Sequence, residues 1–500
     1  MKLIRFVSLL LAGSASLSPG PLLGHERAPA DLQSTLEKWF SRAARVAPGV
    51  WGIVIANQDG QILWAIEPTR PMVPASTVKL FTTGYARSVL GGEARRTTRL
   101  IGTGHLDPFT GTWVGDWSLE LNGDPTLERP IHGGPTLTAL AEQLRHRGVR
   151  RLTGTLHLIS EVGDANAVFP AVWDPRHQGR YFAPLVGNVV VNEGLVTIAI
   201  GPAEKLGRLP VLRSESPSGV SSLVDIKAKT VAGRRSRLSV RKAPDGRFVV
   251  VGTIGIRSRT RWLTVTAHDP KALVGAIWDR ALALADIEWD RTAPVARPAI
   301  EFAKPVVLAH VTSSPFDSIA MEVNRRSVNI GAELLLRWAG GPLNPAERLL
   351  EHVRDVTGDI TGLKLLDGSG LSHEDRVTPL AFISYLAKFP QLPYGRGFPM
   401  LLPTNGMGTL WQLAKGMPGP GIVRAKTGTL GDVATVVGYL GRPEGVLLIS
   451  LMYNGRRVYS ARQEQWKLFR LLGAQGTLIP EDSLSIASQL GGAAGADTIP

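Results

Sequence analysis

The pattern of apolar and polar residues predicts helices near both ends of the chain and strands between them. In "DLQSTLEKWFSRAARV", residues 31–46, apolar side chains recur at helical spacing. Residues 51–64 alternate apolar and polar positions on both sides of a turn at 57–60, which predicts a β-hairpin. A second helix is predicted in "PASTVKLFTTGYARSVL", residues 74–90, with a buried stripe formed by Val78, Phe81, Tyr85 and Val89.

The middle of the chain has a different pattern. From about Arg95 to Ala296, short alternating runs separated by Gly and Pro predict a mainly β segment with one helix at "PTLTALAEQLRHRG". Helical patterns return in "SPFDSIAMEVNRRSVNIGAELLLRWAGG", "NPAERLLEHVRDVTG" and "TPLAFISYLAKF". Charged residues and Pro443 interrupt "VATVVGYLGRPEGVLLISLMY", so two buried strands joined by a hairpin turn are favoured over a membrane span. The predicted fold class is α+β with several domains.

The first segment, "MKLIRFVSLLLAGSASLSPG", has the layout of a secretory signal. Lys2 and Arg5 precede an apolar run that is too short to span a hydrocarbon layer of about 30 Å, and small residues follow it. We therefore predict export to the periplasm or cell-wall space. The Gly/Ala-rich tail over 481–500 is predicted to be poorly ordered.

Composition narrows the chemistry that the chain can perform. Its 500 residues suffice for several buried cores, and the lack of cysteine excludes thiol catalysis and Cys-ligated zinc. The 56 Lys and Arg against 42 Asp and Glu give a formal net charge of +14, which favours acidic partners. We find no helix-turn-helix, zinc or RNA-stacking signature, and neither G-x-S-x-G nor H-E-x-x-H occurs. Neither a nucleic-acid partner nor a metal or organic cofactor is therefore predicted.

Three short motifs in a fixed order carry the candidate chemistry. They are S-x-x-K at Ser76 and Lys79, S-x-N at Ser327 and Asn329, and K-T-G at Lys426, Thr427 and Gly428. Each motif alone arises often by chance. Together, on a helix, a loop before a helix and a strand, they resemble the motif set of penicillin-binding proteins and class A β-lactamases.

Ser76 and Lys79 are one helical turn apart, close enough for a neutral amine to take the hydroxyl proton. A lysine becomes neutral near pH 7 when it is desolvated or lies beside another cation, and Lys426 is the candidate for that cation. We therefore predict Ser76 as the acyl-accepting nucleophile, Lys79 as its general base and Ser327 as a proton relay.

The remaining motif residues are predicted to bind the substrate. Asn329 and Lys426 should fix its amide and carboxylate. The backbone N–H groups of Ser76 and Thr429 should form an oxyanion hole, which needs two donors converging on one oxygen. The predicted substrate-binding set is Asn329, Lys426, Thr427, Gly428 and Thr429, with Asp174 added below.

Three further segments carry a closer resemblance. They are "LELNGDPTL" at 119–127, "LDGSGLS" at 366–372 and "LLPTNGMGTL" at 401–410. They resemble the D-alanyl-D-alanine carboxypeptidase/endopeptidase family, the class C low-molecular-mass penicillin-binding proteins of the penicillin-binding-protein-4 type. The resemblance implies a serine-type enzyme that trims peptidoglycan stem peptides and cross-links through an acyl-serine intermediate. It also implies that β-lactam antibiotics acylate Ser76.

The spacing of the motifs indicates an insertion, because Ser327 comes 248 residues after Lys79. In the family this gap holds a second, mainly β domain with a third nested inside it. The implied organisation is a signal peptide 1–20, a transpeptidase-like domain 28–95 and 297–480 with an antiparallel sheet and helices, domain II 96–202 and 263–296, domain III 203–262, and a flexible tail 481–500.

Within the insertion, "AVWDPRHQGRYFAP" resembles the family segment whose acidic residue meets the free amine of the stem peptide's diamino acid. The resemblance assigns this role to Asp174, and a turn-forming Asp before Pro175 is an equally open alternative. The chain departs from the family at Val328 and Met407, where Asp is usual, which puts substrate preference in question.

Two sets of basic residues are predicted to alternate along two strands, so that each set shares a face. They are Arg237, Ser239 and Arg241, and Arg257, Arg259 and Arg261. A solvated surface and a surface that associates with anionic cell wall both remain open. A β-lactamase or esterase of the same fold and an inactive wall-binding relative are the alternative functions.

Overall fold

The computed structural model describes residues 30–129, 134–292 and 304–479. The predicted signal peptide over 1–20 and the predicted tail over 481–500 lie outside the described residues. In these three ranges, no helix combines the length and the apolar composition that crossing a membrane requires.

A five-stranded antiparallel sheet forms the centre of the transpeptidase-like unit, in the order β18-β19-β20-β1-β2. Its strands are β1 (Val50–Ala56), β2 (Ile62–Ile66), β18 (Val423–Leu430), β19 (Val433–Arg442) and β20 (Gly445–Asn454). The pairs β1–β2 and β19–β20 confirm the two predicted hairpins. β18 is an edge strand, so among the described ranges of the chain no strand of the sheet pairs with one side of the K-T-G motif.

Helices cover both faces of this sheet. On one face lie α1 (Ala30–Val46) and α9 (Val458–Leu472), packed with Ile53 and Val436. On the other face, packed with Val54 and Val437, lie α2 (Lys79–Leu90), α5 (Phe316–Arg326), α6 (Asn329–Gly340), α7 (Pro345–Thr357) and α8 (Pro379–Lys388). Successive strand residues thus enter opposite cores, which explains why β19 and β20 are buried along almost their whole length.

The stripe predicted for the second helix is largely confirmed. Val78, Phe81 and Tyr85 are buried, but the prediction was wrong for Val89, which is 53% exposed. Val89 lies in the last turn of α2, which ends at Leu90, and the next residue, Gly91, has a φ of 78° that breaks the helix.

The insertion is built from short strands and two helices. These are β3 (Thr97–Leu106), β4 (Trp113–Glu120), α3 (Leu137–His146), β5 (Arg151–Thr153), β6 (His157–Ile159), β7 (Ala167–Val168), β8 (Val186–Gly187), β9 (Leu195–Gly201), β10 (Val211–Ser216), β11 (Val224–Ile226), β12 (Lys229–Val231), β13 (Ser236–Lys242), β14 (Phe248–Gly255), β15 (Arg261–Thr266), α4 (Pro270–Leu284) and β16 (Glu288–Asp290). The larger sheets have the orders β10-β9-β15, β11-β14-β12 with β13 beside β14, and β17-β3-β4-β6.

Strand β17 (Val306–Thr312) lies outside the predicted limits of the insertion but belongs to one of its sheets. It follows the predicted end of the insertion at residue 296, yet it pairs with β3, and Leu308 and Ala309 join the core of the insertion. A strand that completes a sheet of the insertion belongs with that sheet, whatever its place in sequence. The other domain limits stay a prediction.

The two arginine sets have different structures. Arg237, Ser239 and Arg241 alternate on β13 and are exposed, as predicted. Arg257 and Arg259 lie in the turn between β14 and β15, so the prediction that Arg257, Arg259 and Arg261 share one strand face was wrong. The apolar run of β14 ends at Gly255, and the chain then turns before β15 begins at Arg261.

Candidate active site

Ser76 lies in a 3₁₀ turn, Ala75–Val78, that leads directly into α2. Side chains three residues apart in such a turn are eclipsed, so Ser76 and Lys79 face each other, with 3.0 Å between Ser76 Oγ and Lys79 Nζ. Ala75, directly before the serine, has a φ of 50°, in the left-handed region that a residue with a Cβ adopts only at a cost. The turn thus holds the half-buried serine in a fixed position against the lysine.

The Lys79 side chain is fully buried and has two further partners. Its Nζ donates to Asn329 Oδ1 at 2.7 Å and to the backbone carbonyl of Ser369 at 2.7 Å. Burial lowers the pKa of Lys79 to about 7, against the opposing effect of the carboxylates of Asp367 and Glu333. A sizeable fraction of the amine is therefore neutral at neutral pH, and burial is the main cause of this, with no need for a second cation.

Ser327 and Asn329 stand at a sharp break between two helices. α5 ends at Ser327, whose φ of 60° is left-handed, and α6 begins two residues later at Asn329. This break aims both side chains at the cleft. Ser327 Oγ accepts from Lys426 Nζ at 2.9 Å, and Asn329 Nδ2 donates to the carbonyl of Phe182, in the insertion, at 2.8 Å.

The K-T-G strand, β18, closes the other side of the cleft. Lys426 is fully buried, and its Nζ also donates to the carbonyl of Thr427 at 2.7 Å. Burial, and then the neighbouring cations Lys79 and Arg462, hold the pKa of Lys426 well below its usual range. Thr429, one residue beyond the motif, is exposed at the end of the strand.

Gly428 is required for the close approach of β18 to the nucleophile. A Cβ at this position would lie 2.9 Å from the backbone nitrogen of Ser76, 2.6 Å from the carbonyl oxygen of Pro74 and 2.3 Å from Thr435 Oγ1. These distances are shorter than van der Waals contact, so only glycine lets the strand lie against the turn that carries Ser76. The glycine of the motif therefore has a packing reason of its own.

The structure thus brings together Ser76, Lys79, Ser327, Asn329 and Lys426, all predicted from the three motifs. A cavity of about 110 Å³ opens beside Ser327 and Asn329, and Tyr181 and Phe182 from the insertion form part of its wall. The cleft is therefore shared between the transpeptidase-like unit and the insertion.

Asp174 has a local partner. Its Oδ1 accepts from the backbone N–H of Arg176 at 2.8 Å, and its Oδ2 accepts from Arg176 Nη2 at 2.5 Å, so the Arg176 guanidinium holds the pKa of Asp174 well below its usual range. This turn fits the alternative of a turn-forming Asp. The neighbouring Trp173 reaches the site by donating to Asp367 Oδ2 at 3.0 Å. The substrate role of Asp174 stays a prediction.

Val328 and Met407, the two departures from the family pattern, occupy different environments. Val328 packs with Trp173, Ala183 and Leu371, where an apolar side chain fits and a carboxylate would need a partner. Met407 is 47% exposed. Neither side chain contacts the serine or either lysine through a hydrogen bond.

Sequence reasoning missed Arg462 on α9. Its guanidinium donates to the carbonyls of Gly428 at 2.6 Å and Thr435 at 2.8 Å and to Thr429 Oγ1 at 3.1 Å. It therefore supports the C-terminal end of β18 from behind. The residue stands in an ordinary amphipathic helix far along the chain from the motif, so the local pattern gave no signal for it.

A serine hydroxyl in contact with a buried lysine amine is the arrangement typical of one class of proteins, the serine acyl-enzymes with a lysine base. Comparison with known proteins identifies the family within that class. Residues 32–472 match the model of the D-Ala-D-Ala carboxypeptidase 3 (S13) family. The chain belongs to this family and is a serine-type D-Ala-D-Ala carboxypeptidase, which confirms the predicted family and carboxypeptidase activity.

Individual relatives agree with the family. The chain is 26% identical to a D-alanyl-D-alanine carboxypeptidase of Actinomadura sp. (strain R39) over 81% of this chain and 77% of the relative. It is 25% identical to carboxypeptidase DacB of Mycolicibacterium smegmatis over 81% and 76%. Penicillin binding protein 4 of Haemophilus influenzae superposes with a TM-score of 0.68 at 20% identity, over 86% of this chain and 99% of that structure. That likeness confirms the α+β fold.

Proposed function

We propose that the enzyme is exported and that Ser76, Lys79 and Ser327 carry its reaction. The observation that supports this most directly is the 3.0 Å contact between Ser76 Oγ and a buried Lys79 amine whose pKa is about 7. A half-buried serine remains open to substrate, while a fully buried lysine is kept away from bulk water. The pair therefore meets the two requirements of an activated nucleophile, access and a neutral base.

In the first step, neutral Lys79 takes the Ser76 hydroxyl proton as Oγ attacks the carbonyl carbon of the penultimate D-Ala. The backbone N–H groups of Ser76 and Thr429 would hold the oxyanion. When the C–N bond breaks, the proton passes from Lys79, with Ser327 as relay, to the departing amine. The acyl-serine ester left on Ser76 is then hydrolysed by water, which restores the serine.

The substrate's terminal carboxylate would lie against Lys426 and Thr427, and its amide against Asn329. Lys426 and Ser327 are in contact, which places the proposed carboxylate site next to the proposed proton relay. Gly428 keeps β18 close to the serine, and Asp174 would meet the amine of the diamino acid. A cross-linked substrate differs only in that a second peptide leaves in place of D-Ala.

β-Lactams should acylate the same serine, because their strained amide imitates the terminal D-dipeptide. One relative of the same fold, penicillin binding protein 4 of Haemophilus influenzae, has been solved with a bound β-lactam.

The exposed arginines of β13 and the net charge of +14 support peripheral association with an anionic cell wall. Reversing Arg237 and Arg241 to Glu should reduce sedimentation with purified wall at low salt, and unchanged sedimentation would exclude this role.

The deciding experiment measures intact mass after incubation with benzylpenicillin, for the wild type and for Ser76→Ala. A stable adduct of one penicilloyl unit that is lost in Ser76→Ala is the expected result. Rapid drug turnover without an adduct would favour a β-lactamase, and neither adduct nor turnover would favour an inactive wall-binding relative. Release of D-Ala from a D-Ala-D-Ala peptide, measured alongside, separates a peptidase from a mere penicillin binder.

A further inference from the structure

The residues beneath Lys79 form a buried acidic cluster that the proposed reaction does not use. It consists of Glu333 on α6 and of Asp367 and Asp375 on the loop between α7 and α8, which are 6%, 2% and 0% exposed. Burying carboxylates is costly unless hydrogen bonds or protonation compensate. Asp367 differs from the other two carboxyl groups in how burial is compensated, and this difference assigns a task to Asp367.

Asp367 accepts hydrogen bonds from five N–H donors. They are the backbone groups of Ser369 (3.1 Å), Gly370 (2.5 Å), Leu371 (3.1 Å) and Ser372 (2.9 Å) and the indole Nε1 of Trp173 (3.0 Å). These five donors satisfy the oxygens of the buried carboxylate. Asp367 also fixes the course of the whole 369–372 loop, because four successive backbone groups converge on it.

Asp375 and Glu333 compensate in another way. Burial, with Asp367 close by, raises the pKa of Asp375 well above its usual range, and burial likewise raises the pKa of Glu333. Asp375 Oδ1 accepts from the backbone N–H of Leu366 at 2.8 Å, and among the described residues no group donates to Oδ2. A proton on Oδ2 would let Asp375 donate to the neighbouring Asp367.

The loop that Asp367 fixes touches both reacting groups. The carbonyl of Ser369 accepts from Lys79 Nζ at 2.7 Å. Gly370 lies so close to the nucleophile turn that a Cβ there would be 1.9 Å from the carbonyl oxygen of Ala75. Trp173, 1% exposed, brings the insertion into the same network, although it is 194 residues away from Asp367 in sequence.

We propose that Asp367 and Trp173 are positioning residues for acylation, through which the insertion holds the Ser369 carbonyl against Lys79 Nζ. The inference rests on the proposed roles of Ser76 and Lys79. It gives the insertion a part in the chemistry, since Trp173 orients the carboxylate that orients the base. Neither residue touches the substrate.

The first test is Trp173→Phe, which removes the indole N–H and keeps an aromatic ring in the cluster. We expect the second-order rate of Ser76 acylation by benzylpenicillin to fall about tenfold. The matched control is Trp117→Phe, because Trp117 is 2% exposed and its Nε1 donates to the carbonyl of Thr153 at 2.8 Å, inside the insertion. That variant should lose similar thermal stability and acylate within about twofold of the wild type.

The second test is the pH profile of acylation in Asp367→Asn. The charged groups around Lys79 are Glu333 on α6, Asp367 on the loop and Lys426 on β18, with Asp375 behind Asp367. The Asp367 charge raises the pKa of Lys79, so its removal should move the acid limb of the profile to lower pH while the plateau rate falls. A purely structural residue would reduce the folded fraction without moving the limb.

The outcomes separate this proposal from the proposed function. Trp173→Phe acylating at the wild-type rate, or an unshifted limb in Asp367→Asn, would overturn the positioning role while leaving Ser76 as the nucleophile. Failure of the unsubstituted enzyme to acylate would overturn the proposed function itself. If Asp367→Asn does not fold, the comparison of Trp173→Phe with Trp117→Phe decides alone.

Discussion

Lys79 and Lys426 share one cleft and make nearly the same contacts. Both are fully buried, each lies within 3.0 Å of a serine hydroxyl, and each donates to a backbone carbonyl at 2.7 Å. Their electrostatic surroundings are opposite. Asp367 and Glu333 lie beneath Lys79, whereas Lys79 itself and Arg462 act on Lys426.

This difference explains how one residue type can serve two tasks. The acids offset part of the burial effect at Lys79 and leave its pKa at about 7, where an amine can take and return a proton. At Lys426 the neighbouring cations add to the effect of burial, and a bound anion would raise the pKa of its ammonium group again. The substrate carboxylate is the natural counterion. These surroundings suit the proposed tasks of the two lysines, proton transfer for Lys79 and recognition for Lys426.

The largest expected effect comes from replacing the two lysines in turn. Lys79→Met should lower Ser76 acylation by about 10³-fold, the range that positioned proton transfer typically contributes. Lys426→Met should instead remove the preference for a peptide with a free C-terminal carboxylate over its C-terminal amide. Rates of D-Ala or D-alaninamide release from matched peptides report both effects. Acylation of Lys79→Met within tenfold of the wild type would exclude it as the base.

The pH dependence of the wild type should separate the two lysines without any substitution. Below pH 7 Lys79 becomes protonated and cannot accept the serine proton, so the acylation rate should fall about tenfold per pH unit on the acid side. As pH rises, Lys426 loses its proton more readily, so the preference for the carboxylate substrate should weaken. Stopped-flow measurement of acylation reports on Lys79, and the ratio of the two peptide rates reports on Lys426. Both are measured from about pH 5 to about pH 10. A single shared limb would mean that the lysines titrate as one unit.

Arg462 offers a smaller change on the recognition side alone. Arg462→Gln removes a cation that lowers the pKa of Lys426, so the carboxylate preference should persist to higher pH, with a severalfold change in KM. Arg462→Lys retains the charge but supplies fewer donors to Gly428 and Thr435, and it serves as the control. If both variants shift the pH dependence of the carboxylate preference equally, the effect comes from the position of β18 and not from the charge of Arg462.

The motifs on the two sides of the cleft were predictable, and the residues behind them were not. Ser76, Lys79, Ser327, Asn329 and Lys426 could be found because fixed spacing on a helix, a loop and a strand is visible in sequence. The support given by Asp367, Trp173 and Arg462 depends on hydrogen bonds between segments that are far apart in sequence. The resemblance of the segment 366–372 to the family was visible in the sequence. The convergence of its backbone N–H groups on the Asp367 carboxylate could not be inferred from the sequence. The pairing of β17 with β3 was also not predictable, because it joins two strands that are far apart in sequence.

The smallest expected effect tests whether Asp375 is protonated beside Asp367. If Asp375 holds a proton that it donates to Asp367, an amide can replace it, because Asn supplies an N–H to Asp367 and an oxygen to the N–H of Leu366. Asp375→Asn should therefore keep the acylation rate and its acid limb within about twofold of the wild type. Asp375→Ala, which leaves Asp367 without that donor and opens a small cavity, should lose stability by about 1–3 kcal/mol in urea unfolding. A large drop in Asp375→Asn would mean that Asp375 is ionised in the wild type.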